Sequence, residues 1–298
     1  MLHRIRGRRW EVASFAILTI TTGIFILLAS LSWFYARAFT HMPCAGDYTW
    51  LEEPGVQPET VEFLNPDGIL IHGWLALGGE HRETGIIVLP GATGNTQLAL
   101  PDALVLMRAG YSTLVFEHRT CADPASMHSG GYLEAEDLVR AAKFLKARPE
   151  IQRVGVLGFS TGGSAALIAA ARTPDIDAVV AIGGFSSLAD DVLEPEIERV
   201  WIDRTVRTLI LFLIGYQLGI DPDLVSPVDQ VDRISPRPIL LIYGEGERRP
   251  GETLFEAAGD PKEMWIVPNA GHGGYAAADP EEYRSRVLTF FQRSFGQE

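Results

Sequence analysis

The chain has 298 residues, a formal net charge of −13, 47% hydrophobic residues and 21% charged residues, a balance ordinary for a globular protein with a sizeable core. Residues 1–40 hold five Arg and one Glu, a net +4, which leaves −17 for residues 41–298. A body this acidic argues against binding nucleic acid and against adhesion to an anionic lipid surface.

The first feature in chain order is Val12–Ala36, a 25-residue run with no charged residue, rich in Ile, Leu, Phe and Ala. At about 1.5 Å per residue it exceeds the ~30 Å hydrocarbon core of a bilayer. Arg4, Arg6, Arg8 and Arg9 precede it, and Trp33 and Tyr35 lie at its far end, where aromatic residues anchor at an interface. The positive flank predicts a cytoplasmic tail over 1–11, a single transmembrane anchor over 12–36, and the rest of the chain on the extracytoplasmic side. The competing reading is a cleaved signal peptide, since Ala36-Arg37-Ala38 resembles a small-x-small cleavage site. The apolar run is about twice the usual length for that role, which favours the uncleaved anchor.

Residues 37–58, rich in Pro, Gly and charge from Thr40 onward, read as a linker to a domain over 59–298. Val61–Leu64, the turn Asn65-Pro66-Asp67-Gly68 and Ile69–Leu77 predict a β-hairpin. Short apolar runs follow at Ile86–Leu89, Ser112–Phe116, Arg153–Leu157, Ala178–Ile182, Pro238–Tyr243 and Glu263–Val267. Helical stretches alternate with them near Gln97–Arg108, Tyr132–Ala147, Thr161–Arg172, Glu252–Ala258 and Pro280–Ser294. Apolar strands alternating with helices predict an α/β fold, a mostly parallel sheet covered on both faces. Residues 186–235 interrupt the alternation as a cap or lid insertion. Its stretch Leu209–Ile214 is apolar all round but too short to span a bilayer, so a helix packed over the carboxyl edge of the sheet is expected. A helix packed only in the core and a lid dipping into the membrane are the other two readings. Cys44 and Cys121 are too few for a disulfide framework or a thiolate metal site, and whether they pair is left open.

In such sheets ligands bind beyond the carboxyl ends of the strands, so the residues after each strand carry the chemistry. After Ile86–Leu89 comes Pro90-Gly91-Ala92-Thr93-Gly94-Asn95, a turn able to aim the Ala92 N–H at an oxyanion; it lacks the Lys and Ser/Thr of a phosphate loop. After Arg153–Leu157 comes Gly158-Phe159-Ser160-Thr161-Gly162, which fits a nucleophile elbow, with the Thr161 N–H as second oxyanion donor. After Pro238–Tyr243, Gly244-Glu245-Gly246-Glu247 supplies an acid, and after Glu263–Val267, Gly271-His272-Gly273 supplies a histidine. A serine hydroxyl needs a base to take its proton as it attacks, and an imidazole can accept that proton and return it to the leaving group. A carboxylate then orients the ring and stabilises its cationic form. Ser160 and His272 are the nucleophile and base. Glu247 is the preferred acid, with Glu245, Asp190 and Asp191 as alternatives. His3, His41, His72, His81, His118 and His128 form no metal-spaced pair; His118 is read as a pocket-lining residue or an ordinary polar contact.

These motifs carry a resemblance. Leu89-Pro90-Gly91, Glu117-His118-Arg119-Thr120, Gly131–Asp137, the elbow Gly158–Gly162, Ser226-Pro227, Pro238–Glu247 and Gly271-His272 together resemble the α/β-hydrolase superfamily. The likeness is to bacterial membrane-anchored serine hydrolases of the serine aminopeptidase and dienelactone-hydrolase kind, and covers about residues 60–295. It implies the order Ser160…Glu247…His272 as a catalytic triad. Three positions depart from the family pattern: Pro90 replaces a common histidine, Cys121-Ala122-Asp123-Pro124 replaces a glycine-serine tail, and Glu247 replaces the usual aspartate. The expected activity is cleavage of a carboxylic ester of modest size through an acyl-enzyme, with thioester or peptide as nearest alternatives and an inactive binding protein on the same fold as the rival class. No metal or organic cofactor is implied. The expected partners are a small-molecule acyl substrate and the membrane, with no nucleic acid.

Overall fold

The computed structural model describes residues 2–42, 44, 57–93, 96–193 and 204–296. Residues 45–56 of the expected linker, Gly94 and Asn95 of the turn after Leu89, and 194–203 of the insertion lie outside the described residues.

Among the described residues eight strands form one sheet: β1 (Glu59–Leu64), β2 (Leu70–Ala76), β3 (His81–Leu89), β4 (Tyr111–Phe116), β5 (Arg153–Phe159), β6 (Ala178–Ile182), β7 (Ile239–Gly244) and β8 (Lys262–Val267). Their order is β1-β2-β4-β3-β5-β6-β7-β8. β1 and β2 form the expected antiparallel hairpin, β2 also runs antiparallel to β4, and every other pairing is parallel. Among the described residues ten helices accompany the strands: α1 (Leu2–Thr40), α2 (Thr96–Arg108), α3 (Arg119–Ala122), α4 (Tyr132–Lys146), α5 (Thr161–Arg172), α6 (Leu188–Leu193), α7 (Arg204–Leu218), α8 (Arg248–Ala257), α9 (Tyr275–Ala278) and α10 (Pro280–Phe295). α8 starts four residues before the expected Glu252. Pro250 falls in its first turn, where a missing N–H costs nothing and the ring pre-sets φ.

The period-2 alternation of the central strands makes two cores. Ile87, Val156, Val179 and Leu241 face α4, α5 and α8, while Ile86, Val88, Leu157, Val180 and Leu240 face α2 and α10. Burial on both faces is why these strands read as continuous apolar runs and not as alternating ones.

A third, smaller core joins the insertion to α1. Ile210 and Ile214 of α7 pack with Ala36 of α1, Leu188 of α6 and Val225. Ser32, Ala36 and Thr40, spaced four apart, are fully buried, so a stripe of small residues lies along one side of the end of α1. The Thr40 hydroxyl is 2.8 Å from Gln217 Oε1, and Trp33 lies against Tyr216 with ring centroids 6.5 Å apart. The insertion is therefore a packing partner of the N-terminal helix. Its Phe212 and Tyr216 remain exposed. Cys44 and Cys121 form a disulfide, which ties the segment after α1 to α3. Ala13–Thr40 is long and apolar enough to cross a membrane, and most of its large side chains are exposed.

Candidate active site

β5 ends in the sharp turn that carries Ser160. Its φ of +55° is a left-handed conformation costly for a residue with a side chain, and it lifts the hydroxyl clear of the sheet. The turn closes only because its neighbours lack a Cβ. One on Gly158 would lie 2.2 Å from the Gly162 carbonyl oxygen, and one on Gly162 would lie 2.4 Å from that of Pro90. The Ser160 N–H donates to the Ile182 carbonyl at 2.7 Å, which pins the turn to β6.

His272 arrives on the loop after β8. Its Nε2 is 3.0 Å from Ser160 Oγ, and its Nδ1 is 2.7 Å from Glu247 Oε2. Phe159 packs against the imidazole, ring centroids 5.1 Å apart at 30°, and limits its rotation. Glu247 is buried in the 3₁₀ turn after β7, and its second oxygen, Oε1, accepts from the Tyr275 hydroxyl and from the Gly244 N–H at 3.4 Å. Both carboxylate oxygens are thus occupied, one by the ring and one by fixed donors, which sets the direction in which the acid holds the imidazole.

Burial, followed by the Glu247 charge, pushes the Tyr275 hydroxyl well above the ordinary tyrosine range, so it stays protonated and donates. Gly183 at φ +59° makes room for it, since a Cβ there would sit 2.2 Å from the Tyr275 oxygen. Tyr275 and Phe159 were not recognised in the sequence. A tyrosine three residues after a loop histidine carries no signal until the loop is folded.

The alternative acids go elsewhere. Glu245 Oε2 accepts from the Asn269 N–H at 3.1 Å and holds the histidine loop against the acid turn. Asp190 and Asp191 lie in the first turn of α6. Burial raises the Asp191 carboxyl above its ordinary range, while His272 opposes the rise and Glu247 adds to it.

The turn after β3 lies against the serine turn: a Cβ on Gly91 would be 3.2 Å from Ser160 Cβ. Ala92 follows at the partly exposed surface, and Thr161 opens α5, where the first N–H groups have no acceptor within the helix. The α5 dipole adds to the field at that point. Arg119, the arginine of the motif after β4, is buried and binds Asp137 with two nitrogens at 2.8 and 2.6 Å, and Asp67 at 2.9 Å. It braces α4 against the β1–β2 turn beneath the site.

A mostly parallel sheet with a strained serine turn, a histidine in reach of that serine and a buried acid behind the ring defines an α/β hydrolase. Residues 125–298 match the prolyl oligopeptidase family, and the chain belongs to that family. The Pseudomonas aeruginosa protein PA2218, of uncharacterised function, is 26% identical over 295 residues, covering 76% of this chain and 78% of that one. Its crystal structure superposes with a TM-score of 0.64, over 82% of this chain and 95% of that one. An esterase of Pyrococcus furiosus, Pf2001, shares the fold with a TM-score of 0.66 at 21% identity, over 84% and 97% of the two chains. A thiohydrolase of Arthrinium phaeospermum is 29% identical over 130 residues, 42% of either chain.

Proposed function

We propose that the protein is a serine hydrolase that cleaves a carboxylic ester through an acyl-enzyme. The observation that carries this reading is the continuous relay from Ser160 Oγ through the His272 ring to Glu247, at 3.0 and 2.7 Å. Ser160 attacks the acyl carbonyl as His272 Nε2 takes its proton. The Ala92 and Thr161 N–H groups receive the oxyanion, and the imidazolium returns its proton to the leaving alcohol. Water then enters, gives a proton to His272 and attacks the acyl carbon, and Ser160 leaves with that proton. Glu247 stabilises the imidazolium in both halves. Esterase and thiohydrolase relatives support acyl–oxygen or acyl–sulfur cleavage. The family name supports a peptide substrate as the second reading.

The protein is read as single-pass, with its N-terminus in the cytoplasm and the hydrolase domain outside. The Arg4–Arg9 flank supports that orientation, and so does the Cys44–Cys121 disulfide, since such bonds persist in oxidising compartments. About 20 residues suffice to cross the hydrocarbon, a length met by 13–32. The contacts of Trp33 and Ala36 with α7 then fall at the headgroup level, where exposed Phe212 and Tyr216 suit an interface.

A fluorophosphonate probe tests the reading. It is expected to label the wild-type chain and not Ser160→Ala, and a panel of p-nitrophenyl esters of graded chain length, run beside aminoacyl-peptide substrates, separates the two readings. A folded wild-type protein that neither labels nor turns over any ester or peptide overturns the proposal.

A further inference from the structure

A second cluster of chemically competent side chains lies behind the site. His118 follows β4, His128 lies in the loop before α4, and Glu134 is in the first turn of α4. All three are buried, and one ligand atom from each lies within 4.8 Å of the other two. Glu134 Oε1 is 3.5 Å from His118 Nε2 and 3.2 Å from His128 Nδ1, yet neither nitrogen has a hydrogen-bond partner. Unsatisfied polar atoms at this depth are costly and call for an explanation.

We propose that His118 Nε2, His128 Nδ1 and Glu134 Oε1 bind one divalent transition-metal ion. At metal–ligand distances near 2.0–2.1 Å the edge of a tetrahedral site is about 3.3 Å, the value the two measured separations bracket. The charge count also asks for a cation. Arg119 is already paired with Asp137 and the half-exposed Asp67, which leaves the buried Glu134 carboxylate to be balanced by other charge.

The surroundings hold the ligands in place. Glu134 accepts from Ser129 N–H at 3.1 Å, Ser129 Oγ at 2.5 Å and Gly131 N–H at 2.8 Å. His118 Nδ1 lies 3.0 Å from Thr120 Oγ1 and 3.4 Å from the Thr120 backbone nitrogen, contacts that fix the plane of the ring. A cavity of about 20 Å³, room for one water, touches His118 and Glu134 on one side and Thr161 and Gly162 on the other. The rival state is a protonated His128 paired directly with Glu134. It would need an aligned bond at 3.2 Å, and it leaves His118 Nε2 unpaired, while His128 Nε2 lacks a partner in either state.

The ion has a structural role. The His128 N–H donates to the Thr40 carbonyl at 2.8 Å, and its ring packs on Phe39 at 5.2 Å, so the cluster fastens the end of α1 to α4. The full chain, purified in detergent without a histidine tag, is stripped with a chelator, re-equilibrated with Zn²⁺ or Co²⁺ and gel-filtered. The expected result is one metal per chain, a raised Tm, and the visible d–d bands of a low-coordinate Co²⁺ site. His128→Ala and Glu134→Ala should each weaken binding tenfold or more, while His272→Ala, which leaves all three ligands in place, should keep the ion. A stripped wild type that still reacts with fluorophosphonate but takes up no metal overturns the proposal, with no variant needed. So does metal retained equally by His128→Ala or lost in His272→Ala.

Discussion

The sharpest test of the acid assignment is Glu247→Gln, because the structure dictates which way the new amide must face. Oε1 accepts from two donors, the Tyr275 hydroxyl and the Gly244 N–H, so the glutamine carbonyl oxygen takes that position. The amide NH₂ then occupies the Oε2 position, 2.7 Å from His272 Nδ1, and presents a donor where the ring needs an acceptor. The ring responds by moving its proton to Nε2, the tautomer that cannot receive the Ser160 proton. Turning the amide over gives up two hydrogen bonds of about 1 kcal/mol each. The carboxylate's attraction for the imidazolium is also lost, about 4 kcal/mol at an effective dielectric near 20. His272 is 32% exposed on its side chain, so screening reduces that figure. The sum corresponds to a fall in kcat of about 10³-fold, at ~1.4 kcal/mol per decade. The assay is p-nitrophenyl ester hydrolysis together with the rate of fluorophosphonate labelling. The reasoning also makes a second, less ordinary demand. Adding Tyr275→Phe to Glu247→Gln releases the amide to rotate, so the double variant should regain about tenfold over Glu247→Gln. Activity of Glu247→Gln within tenfold of wild type would refute the assignment and redirect it to Asp191. A double variant no faster than the single one would refute the pinning argument.

Two further outcomes follow from neighbouring residues. Gly183→Ala forces a Cβ to within 2.2 Å of the Tyr275 oxygen at a φ of +59°, so Tm should fall and ester turnover drop about tenfold through the displaced tyrosine. A variant with wild-type Tm and labelling rate would show that Tyr275 does not brace the acid. Asp102, whose carboxylate accepts from the Tyr283 hydroxyl at 2.9 Å, is raised by burial to about 6, against the opposing pull of that hydrogen bond. A folded-state pKa above the unfolded value makes ionisation destabilising, so this group's contribution to stability declines as pH rises from about 4 to about 6. Asp102→Asn keeps an acceptor for Tyr283 without the charge. It should raise Tm at pH 7 and leave it unchanged near pH 3.5, as read by thermal unfolding at the two pH values; a lower Tm at pH 7 would contradict the shift.

The sequence by itself determined the alternation of strands and helices, the hairpin at the start of the sheet, and the positions of Ser160 and His272. These features are local. A strand buried on both faces is a run of apolar residues whatever lies beside it, and an elbow needs its glycines within two residues of the serine. The β1–β2 pair was legible for the same reason, since its turn residues fix the register.

The acid was legible only as a set of four carboxylates. Which of them meets the imidazole depends on the path of the loop after β8, and only the folded chain shows Glu245 spent on Asn269 and Glu247 on His272. Tyr275, the Cys44–Cys121 bridge and the packing of α7 on α1 were likewise decided by tertiary structure, because their partners lie on separate elements. The His118–His128–Glu134 cluster is the clearest case. Its members are spaced ten and six residues apart, which matches no helical, strand or metal-motif period, and an irregular loop brings them together. Periodicity reports neighbours along one element, whereas a site assembled across elements depends on where each loop ends. That is set by the packing of the whole sheet.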